Sequence, residues 1–382
     1  GAVFLLFGTF LQATGAAKVF LDGAMGIAGA YRAGMAKVAV ISSALFGTIS
    51  GVGVANVLVT GSFTIPAMKR MGYRPPLAAA VEAAASTGGI LMPPVMGAAA
   101  FLMSDILALP YWNIAVAAFL PGVLYFLALF LIVDFEGGRA NLKGVPRAEI
   151  PPLSKTLKQG WPLLISVAVL LIALGQYGVP VDQSALLALV VLVVLSMLRP
   201  GGLRPAGIAK ALEDGGRLLA EIGVTGAVVG IITGGFALTG LGSVLPQAMQ
   251  SLAGDSLLVL LILAAAAAII LGMGAPPLLV YILLASTVAP ALIKVGVTPI
   301  AAHMFIFYFG LMSMLTPPVA LASMIAARVA GADFWKTSIE ACRLAIVAYI
   351  VPFFFVYNPA LLMQGDLKTL IFSAGSAIIG VT

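Results

Sequence analysis

Long apolar runs recur along this chain, and several of them are interrupted in mid-course by glycine and proline. A helix needs about 20 apolar residues to cross a hydrocarbon core roughly 30 Å thick. Blocks bounded by polar breaks lie at 1–12, 38–66, 76–104, 112–133, 161–177, 185–198, 218–238, 256–290, 299–330 and 339–357. Of the 382 residues, 62% are apolar and 9% charged, with a mean hydropathy of +1.14. A soluble domain carries about a quarter charged residues, so this chain lacks the polar surface to coat a globule in water. Lipid must be the solvent for most of its exterior. Backbone groups in lipid must be satisfied within the segment, which predicts an all-α polytopic membrane protein.

The blocks 112–133, 218–238 and 339–357 read as single spans, and 161–177 and 185–198 as short spans meeting at QYGVPVDQ. Others do not fit single helices. Block 38–66 holds ISGVGVAN, block 256–290 holds LGMGAPP, and blocks 76–104 and 299–330 hold STGGILMPP and SMLTPP. Gly and Pro at this density break the helical ladder, which a bilayer tolerates only where protein or a water-filled cavity receives the freed groups. Basic residues concentrate in the connectors, the positive-inside pattern. Arg32 and Lys37 precede block 38–66, and Lys69, Arg70 and Arg74 follow it, so both ends face the cytoplasm. It reads as a re-entrant hairpin with its tip at 50–56. Counting spans onward, block 256–290 starts and ends outside and forms a second hairpin entering from the opposite side.

Sliding the sequence against itself aligns its punctuation at one offset, 224 residues. Pro66 falls on Pro290, Arg70 on Lys294, Gly72 on Gly296, Pro75 on Pro299, and Pro93-Pro94 on Pro317-Pro318. Two inverted repeats follow, each with a re-entrant helical hairpin and a broken transmembrane helix. The expected organisation is a partial N-terminal scaffold segment at 1–35, repeat 1 at 36–134, a cytoplasmic connector and scaffold helices at 135–255, repeat 2 at 256–357 and a C-terminal segment at 358–382. Both termini read as cut through membrane segments. Inverted repeats with interrupted helices at matching positions point to the binding site of a secondary transporter.

A monovalent cation needs several oxygen ligands, which such breaks supply from carbonyls, hydroxyls and amides. The first half offers Ser50, Gly51, Gly53 and Asn56 at the tip, and Ser86, Thr87, Gly88 and Gly89 at the helix break. The second offers Gly272, Gly274 and Pro276 at the tip, and Ser313 and Thr316 at the break. Na+ would fall at Ser50, Asn56, Thr87, Gly274 and Thr316. The N-termini of half-helices at the breaks suit an anion, so the pattern reads as cation-coupled uptake of a carboxylate. Glu82, one turn before the first break, is an intramembrane carboxylate; it either carries a coupling proton, biases a cation site, or is held by a backbone donor or Arg74. Glu221 reads as structural beside Arg217, and His303 as a packing histidine. One cysteine, Cys342, excludes an intrachain disulfide, and one histidine leaves no His cluster for zinc. The net charge of +6 lies in connectors, so nucleic acid is not an expected partner, and no cofactor or catalytic residue is expected.

The stretch ALFGTISGVGVANVLVTGSFTIPAMKRMGYRPPLAAAVEAAASTGGILMPPVMGAAAFLM resembles the large membrane subunit of TRAP (tripartite ATP-independent periplasmic) transporters, and LGMGAPPLLVYILLASTVAPALIKVGVTPIAAHMFIFYFGLMSMLTPPVALASMIAARVAGA resembles its second repeat. VEAAASTGG…MPPVMGAAAFLM and FYFGLMSMLTPPVALAS lean toward the TAXI subgroup. The resemblance implies an elevator mechanism, a bacterial or archaeal inner-membrane location, a periplasmic TAXI-type solute-binding protein as partner, and a small membrane subunit, separate or fused N-terminally. It implies organic acids as substrates and Na+ or H+ as coupling ion. By position, Ser50, Gly51, Asn56, Ser86, Thr87 and Gly88 would line a first cation site, and Gly272, Gly274, Ser313 and Thr316 a second.

The chain departs from that pattern in three places. Its first tip reads Ser-Gly-Val-Gly where Ser-Gly-Ser is usual, its second Gly-Ala-Pro-Pro where a Pro-Thr pair often sits, and its first break Gly-Gly-Ile-Leu-Met where a Gln is frequent. Fewer side-chain oxygens leave sodium and proton coupling both open. Alternatives are a dicarboxylate or ion transporter of the same superfamily that works without a binding protein, and a non-transporting scaffold subunit. An intramembrane enzyme lacks both a metal-ligating cluster and a nucleophile dyad.

Overall fold

A computed structural model describes residues 2–199 and 202–381, and every regular element among them is helical. The first half comprises α1 (Ala2–Ala13), α2 (Ala16–Ala28), α3 (Gly34–Ser50), α4 (Gly53–Arg70), α5 (Pro75–Gly89), α6 (Ala98–Leu107) and α7 (Tyr111–Arg139). Two connecting helices follow, α8 (Leu153–Gly175) and α9 (Val181–Leu198). The second half comprises α10 (Pro205–Thr239), α11 (Leu241–Ala253), α12 (Leu257–Gly272), α13 (Pro277–Thr287), α14 (Ala289–Lys294), α15 (Pro299–Met312), α16 (Leu321–Ala330), α17 (Phe334–Leu344) and α18 (Ile346–Tyr357), with α19 (Leu367–Val381) at the end. Among the described residues, six helical segments are long and apolar enough to cross a membrane, or seven if the bent pair α1–α2 counts as one. One of the six, Pro277–Lys294, is an arm of the second hairpin.

Element boundaries obey the 224-residue offset. Helix α4 starts at Gly53 and α13 at Pro277; α4 ends at Arg70 and α14 at Lys294; α5 starts at Pro75 and α15 at Pro299. Proline suits the first helical position because its missing N–H has no partner there anyway. The turns before α5 and α15 place Gly72 and Gly296 at φ 94° and 95°, a region that glycine enters freely. Met96 and Ala320, at the ends of the two breaks, share positive φ, and both Pro-Pro bonds are cis. A similar junction stands upstream of each hairpin, one residue out of that register. Helices α1 and α2 meet at Gly15 with a 66° bend, and α10 and α11 meet at Gly240; both glycines are left-handed.

Helices α5 and α15 form the centre. Every residue from Leu77 to Gly89 and from Ala301 to Met312 is buried. A helix apolar on all faces belongs inside a bundle. Helix α5 packs on α3 and α4 of its own repeat and on α16 and α17 of the other, while α15 packs on α12, α13 and α18. Helices α8, α9 and α10 lie outside, exposing Leu164, Ile172, Leu186, Val194 and Val224 to lipid. At the basic end, Arg32 and Lys37 bond Asp134 of α7, and Arg343 of α17 bonds Glu136 at 2.7 Å. The hairpin α3–α4 has its open end there, and its tip and the tip of α12–α13 line one cleft.

Glycine permits the closest approach at the centre. A Cβ on Gly88 would overlap the ring of Tyr125, whose hydroxyl donates to the Ala84 carbonyl at 2.8 Å. The substitution Gly88→Ala is expected to destabilise the purified protein by about 1–3 kcal/mol through overpacking. Gly216→Ala on α10 meets nothing within 4 Å and should leave the melting temperature unchanged or raised. Equal melting temperatures for the two variants would contradict this packing.

Candidate functional site

The first tip docks on the first break through glycines. Gly47 lies against Gly89 and Gly51 against Gly97, each so close that a Cβ on either partner would strike backbone. A Cβ on Gly53 would stand 3.5 Å from the Ser86 carbonyl oxygen and 3.7 Å from the Thr87 Cα. Helix α3 stops because Gly51 turns left-handed at φ 61°, and the carbonyl of Thr48, freed at this end, accepts the Val95 N–H at 3.0 Å. Two hydroxyls beside this junction, Ser50 Oγ and Thr87 Oγ1, are buried without any hydrogen-bond partner. A buried orphan hydroxyl costs about 1–3 kcal/mol, and such groups call for a ligand or water.

The other expected ligands of this half are engaged. Asn56 lies in the first turn of α4, not in the loop, because the helix restarts at Gly53. Its Nδ2 donates to the Ser43 carbonyl at 2.9 Å and its Oδ1 lies 3.1 Å from the Thr60 hydroxyl. Residues Ser86 to Gly89 are also helical: the break falls at 90–97, since Gly88 and Gly89 fit the helix when packed on Tyr125 and Gly47. Ser86 gives its hydroxyl to Glu82 at 2.9 Å.

The second tip is closed differently. The Ser313 hydroxyl donates to the carbonyls of Gly310 (2.6 Å) and Gly272 (2.9 Å). Thr316 bonds the Met312 carbonyl and the Tyr349 hydroxyl, both at 2.8 Å, and so faces α18. Gly274 is left-handed at φ 77°, and Pro276 precedes α13 as its N-cap. Of the five residues expected to hold Na+, Ser50 and Thr87 keep free hydroxyls and Gly274 offers backbone, whereas Asn56 and Thr316 are committed within the protein. The donor set fits a monovalent cation at the first tip better than at the second.

Both tips face one cleft of about 110 Å³. It is lined by Gly51 and Val52 of the first tip, Met96 to Ala99 at the start of α6, and Pro276 to Leu278 at the start of α13. Leu5 of α1 and Leu218, Glu221 and Ile222 of α10 complete the wall. Glu221 therefore stands at the cleft, and Arg217, its expected neighbour, pairs with Glu213 at 2.6 Å. His303 bonds the Tyr281 hydroxyl at 2.7 Å within the buried second repeat.

Glu82 is fully buried, and Arg74, one expected partner, pairs with Glu340 at 3.5 Å. Four hydroxyls surround the carboxyl instead. Oε1 accepts from Ser43 (2.8 Å), Thr60 (2.5 Å) and Ser86 (2.9 Å), and Oε2 from Thr64. Ser43, Thr60 and Thr64 were not singled out from sequence. The available signal was the i, i+4 stripe Asn56–Thr60–Thr64 in an otherwise apolar arm.

Two inverted hairpins, two broken helices and a cleft between their tips define a multi-pass transporter-type membrane protein. Over residues 1–369 the chain matches the family model described as Tripartite ATP-independent periplasmic transporter, DctM component, and it belongs to that family. It is 26% identical over 364 residues to the C4-dicarboxylate TRAP transporter large permease protein DctM of Pseudomonas aeruginosa, covering 94% of this chain and 83% of the relative. It is 26% identical to the isethionate TRAP transporter permease protein DctMQ of Oleidesulfovibrio alaskensis, covering 94% of this chain and 56% of that longer protein. The sialic acid TRAP transporter large permease protein SiaM of Vibrio cholerae is 23% identical, covering 91% and 81%. The fold is similar to the crystal structure of the Alcanivorax borkumensis YdaH transporter, with a TM-score of 0.59 at 18% identity over 95% of this chain and 86% of that one. As a member of this permease family, the chain is a multi-pass inner-membrane protein.

The double variant Ser50→Ala/Thr87→Ala should melt no lower than the parent, because neither hydroxyl has a protein partner to lose. Thr316→Ala removes two bonds and should lower stability by about 1 kcal/mol. The reverse ranking in thermal melts would mean that the two hydroxyls are held by the fold.

Proposed function

We propose that the chain is the permease of a gradient-driven transporter that takes up small organic anions delivered by a periplasmic solute-binding protein. The observation that carries this reading is the cleft. Starts of α6 and α13 and the tip before α4 converge on it, and helix N-termini attract carboxylates through their unpaired N–H groups and partial positive charge. The relatives named for C4-dicarboxylates, isethionate and sialic acid all handle organic anions. Glu221 on the opposite wall offers a partner for the coupling cation or for a cationic group on the substrate.

Coupling enters at the first tip. A cation bound by the free hydroxyls of Ser50 and Thr87, with carbonyls of Gly51 and Gly53 nearby, would lie beside the anion's carboxylate. The two charges would then cross the bilayer as a neutral pair. Ser86, Gly88, Gly272, Ser313 and Thr316 shape the tips, and Gly274 and Pro276 present the second one. In an elevator movement the hairpins and broken helices would travel together against α1, α2 and α8–α11. A small membrane subunit completes the assembly, and the fused DctMQ relative supports that partnership. Within the family, the motifs VEAAASTGG and FYFGLMSMLTPPVALAS support the TAXI subgroup.

Proteoliposomes holding the permease with its small subunit provide the test. A panel of labelled organic anions should accumulate only with the binding protein present and an ion gradient imposed. The Ser50→Ala/Thr87→Ala variant should lose transport by about tenfold or more, as for a coupling energy of 1–3 kcal/mol, while folding normally. Accumulation without any binding protein would overturn the delivery step, and parental transport by the double variant would overturn the cation site.

A further inference from the structure

We propose that Glu82 and its four hydroxyls form a proton-carrying site of this permease, so that a proton is coupled to uptake alongside the cation at the first tip. The inference rests on the gradient-driven transport reading above and adds a second coupled ion with its own place. Glu82 lies on the central helix, with 0% of its surface exposed, and has no basic partner. The charged groups of the helices packed around it are engaged elsewhere or stand at helix ends. Lys37 of α3 pairs with Asp134 of α7, Lys69 of α4 with the Ala330 carbonyl, Arg74 with Glu340 of α17, and Arg343 with Glu136 of α7. Arg70 ends α4, Arg328 lies in the last turn of α16, and Lys336 lies in the first turn of α17. Tyr125 of α7 donates to the Ala84 carbonyl and Cys342 of α17 to the Leu315 carbonyl. An intramembrane carboxylate with no counter-charge is costly and is relieved by taking up a proton.

The cage is satisfied in either protonation state. When Glu82 is ionised, all four hydroxyls can donate to it. When it is protonated, the acid donates to Thr60 or Thr64, whose own hydrogens pass to the carbonyls of Asn56 (2.7 Å) or Thr60 (3.1 Å). A bound metal cation would need these oxygens turned toward a common point, and here each turns to the carboxyl instead. From the cage a polar string, Glu82–Thr60–Asn56, runs to the first tip. A proton taken from outer water would neutralise the carboxylate, cross with the moving hairpin, and leave to inner water, restoring the anionic form.

The second repeat supplies an internal control. At the offset of 224, Ser43, Asn56, Thr60, Thr64, Glu82 and Ser86 correspond to Ala267, Val280, Leu284, Val288, Ile306 and Gly310. The same backbone pattern thus folds with a wholly apolar set; Leu284, Val288 and Ile306 are fully buried. The fold does not require the polar cage. A cage kept in one repeat alone is explained by the chemistry of one ion.

The proton itself serves as the first probe. Infrared difference spectra of the purified full chain titrated with acid should show a buried protonated-carboxyl band, present in the parent and in Ser50→Ala/Thr87→Ala but absent in Glu82→Gln. In proteoliposomes, Glu82→Gln should exchange labelled for unlabelled anion within about twofold of the parent. Its accumulation driven by an imposed pH gradient should fall by about tenfold or more. A band that persists in Glu82→Gln, or parental proton-driven accumulation by it, would overturn the proposal. If Glu82→Gln does not fold, Glu82→Asp replaces it: the protonated-carboxyl band should shift in frequency, and a band unmoved from the parent's would overturn the proposal. A parent that exchanges no organic anion at all would strike the transport reading, while the infrared band would still decide the proton site.

Discussion

A helix that stops inside a bilayer leaves carbonyls and N–H groups with no water to satisfy them, and this molecule stops four helices there. Each buried end has to be met by another part of the chain at backbone distance. Thr48, near the end of α3, gives its carbonyl to the Val95 N–H at 3.0 Å. At the offset of 224 stands Gly272, whose carbonyl accepts from Ser313 at 2.9 Å. Such bonds form only if tip and break nearly touch, and Gly47–Gly89 and Gly51–Gly97 allow that in the first repeat. The converging tips, the cleft and the orphan hydroxyls of Ser50 and Thr87 all follow from this docking. The tips are interior structures fixed by the breaks they cap.

The same requirement explains how two repeats share a backbone and differ in chemistry. Capping the first tip with a main-chain donor leaves the glycine at position 89 free of a side chain. Capping the second with a hydroxyl needs Ser313 at the matching position, and that hydroxyl is consumed in doing so. Thr316 is likewise consumed, by Tyr349 and the Met312 carbonyl. The second tip spends its polar side chains on closure, and the first keeps two in reserve. A symmetric architecture can therefore keep free hydroxyls at one junction and spend them at the other without any change of helix length.

Most of the architecture was legible from punctuation. Pro, Gly and basic residues act at fixed places in a helix, so matching them at 224 residues also matched the starts of α4 and α13 and of α5 and α15. The short helices α2 and α11 were missed because they are not long apolar runs; α2 carries Lys18 and Asp22, which pair on its surface at 3.2 Å. The site was less legible than the fold. Sequence indicates that Ser86, Asn56 and Thr316 carry oxygens, but not where those oxygens point once a neighbouring helix competes for them. Gly88 and Gly89 suggested a broken ladder, yet tight packing on Tyr125 and Gly47 keeps them helical. Ser43, Thr60 and Thr64 went unread because single hydroxyls in apolar helices ordinarily bond their own backbone, and only Glu82, folded against them, gives them a common partner.

The interlock between repeats bears on what could move. Helix α5 of the first repeat is enclosed by α16 and α17 of the second, and Arg74 reaches Glu340 while Arg343 reaches Glu136 across the same seam. Exposed pairs of this kind contribute about 0–1 kcal/mol each, so they orient the seam more than they hold it. The holding comes from the buried faces of α5, which α3 and α4 of its own repeat share with α16 and α17 of the second. By contrast, α8 and α9 turn Leu164, Ile172, Leu186 and Val194 toward lipid, and lipid resists sliding far less than a close-packed core resists separation. A body that joined the hairpins to both central helices could shift against α8 and α9 at little cost, whereas Gln250 of α11 would have to release the Ala291 carbonyl it bonds at 3.3 Å. Moving one repeat against the other would strip α16 and α17 from α5, so the proposed transport movement has to carry both repeats as one.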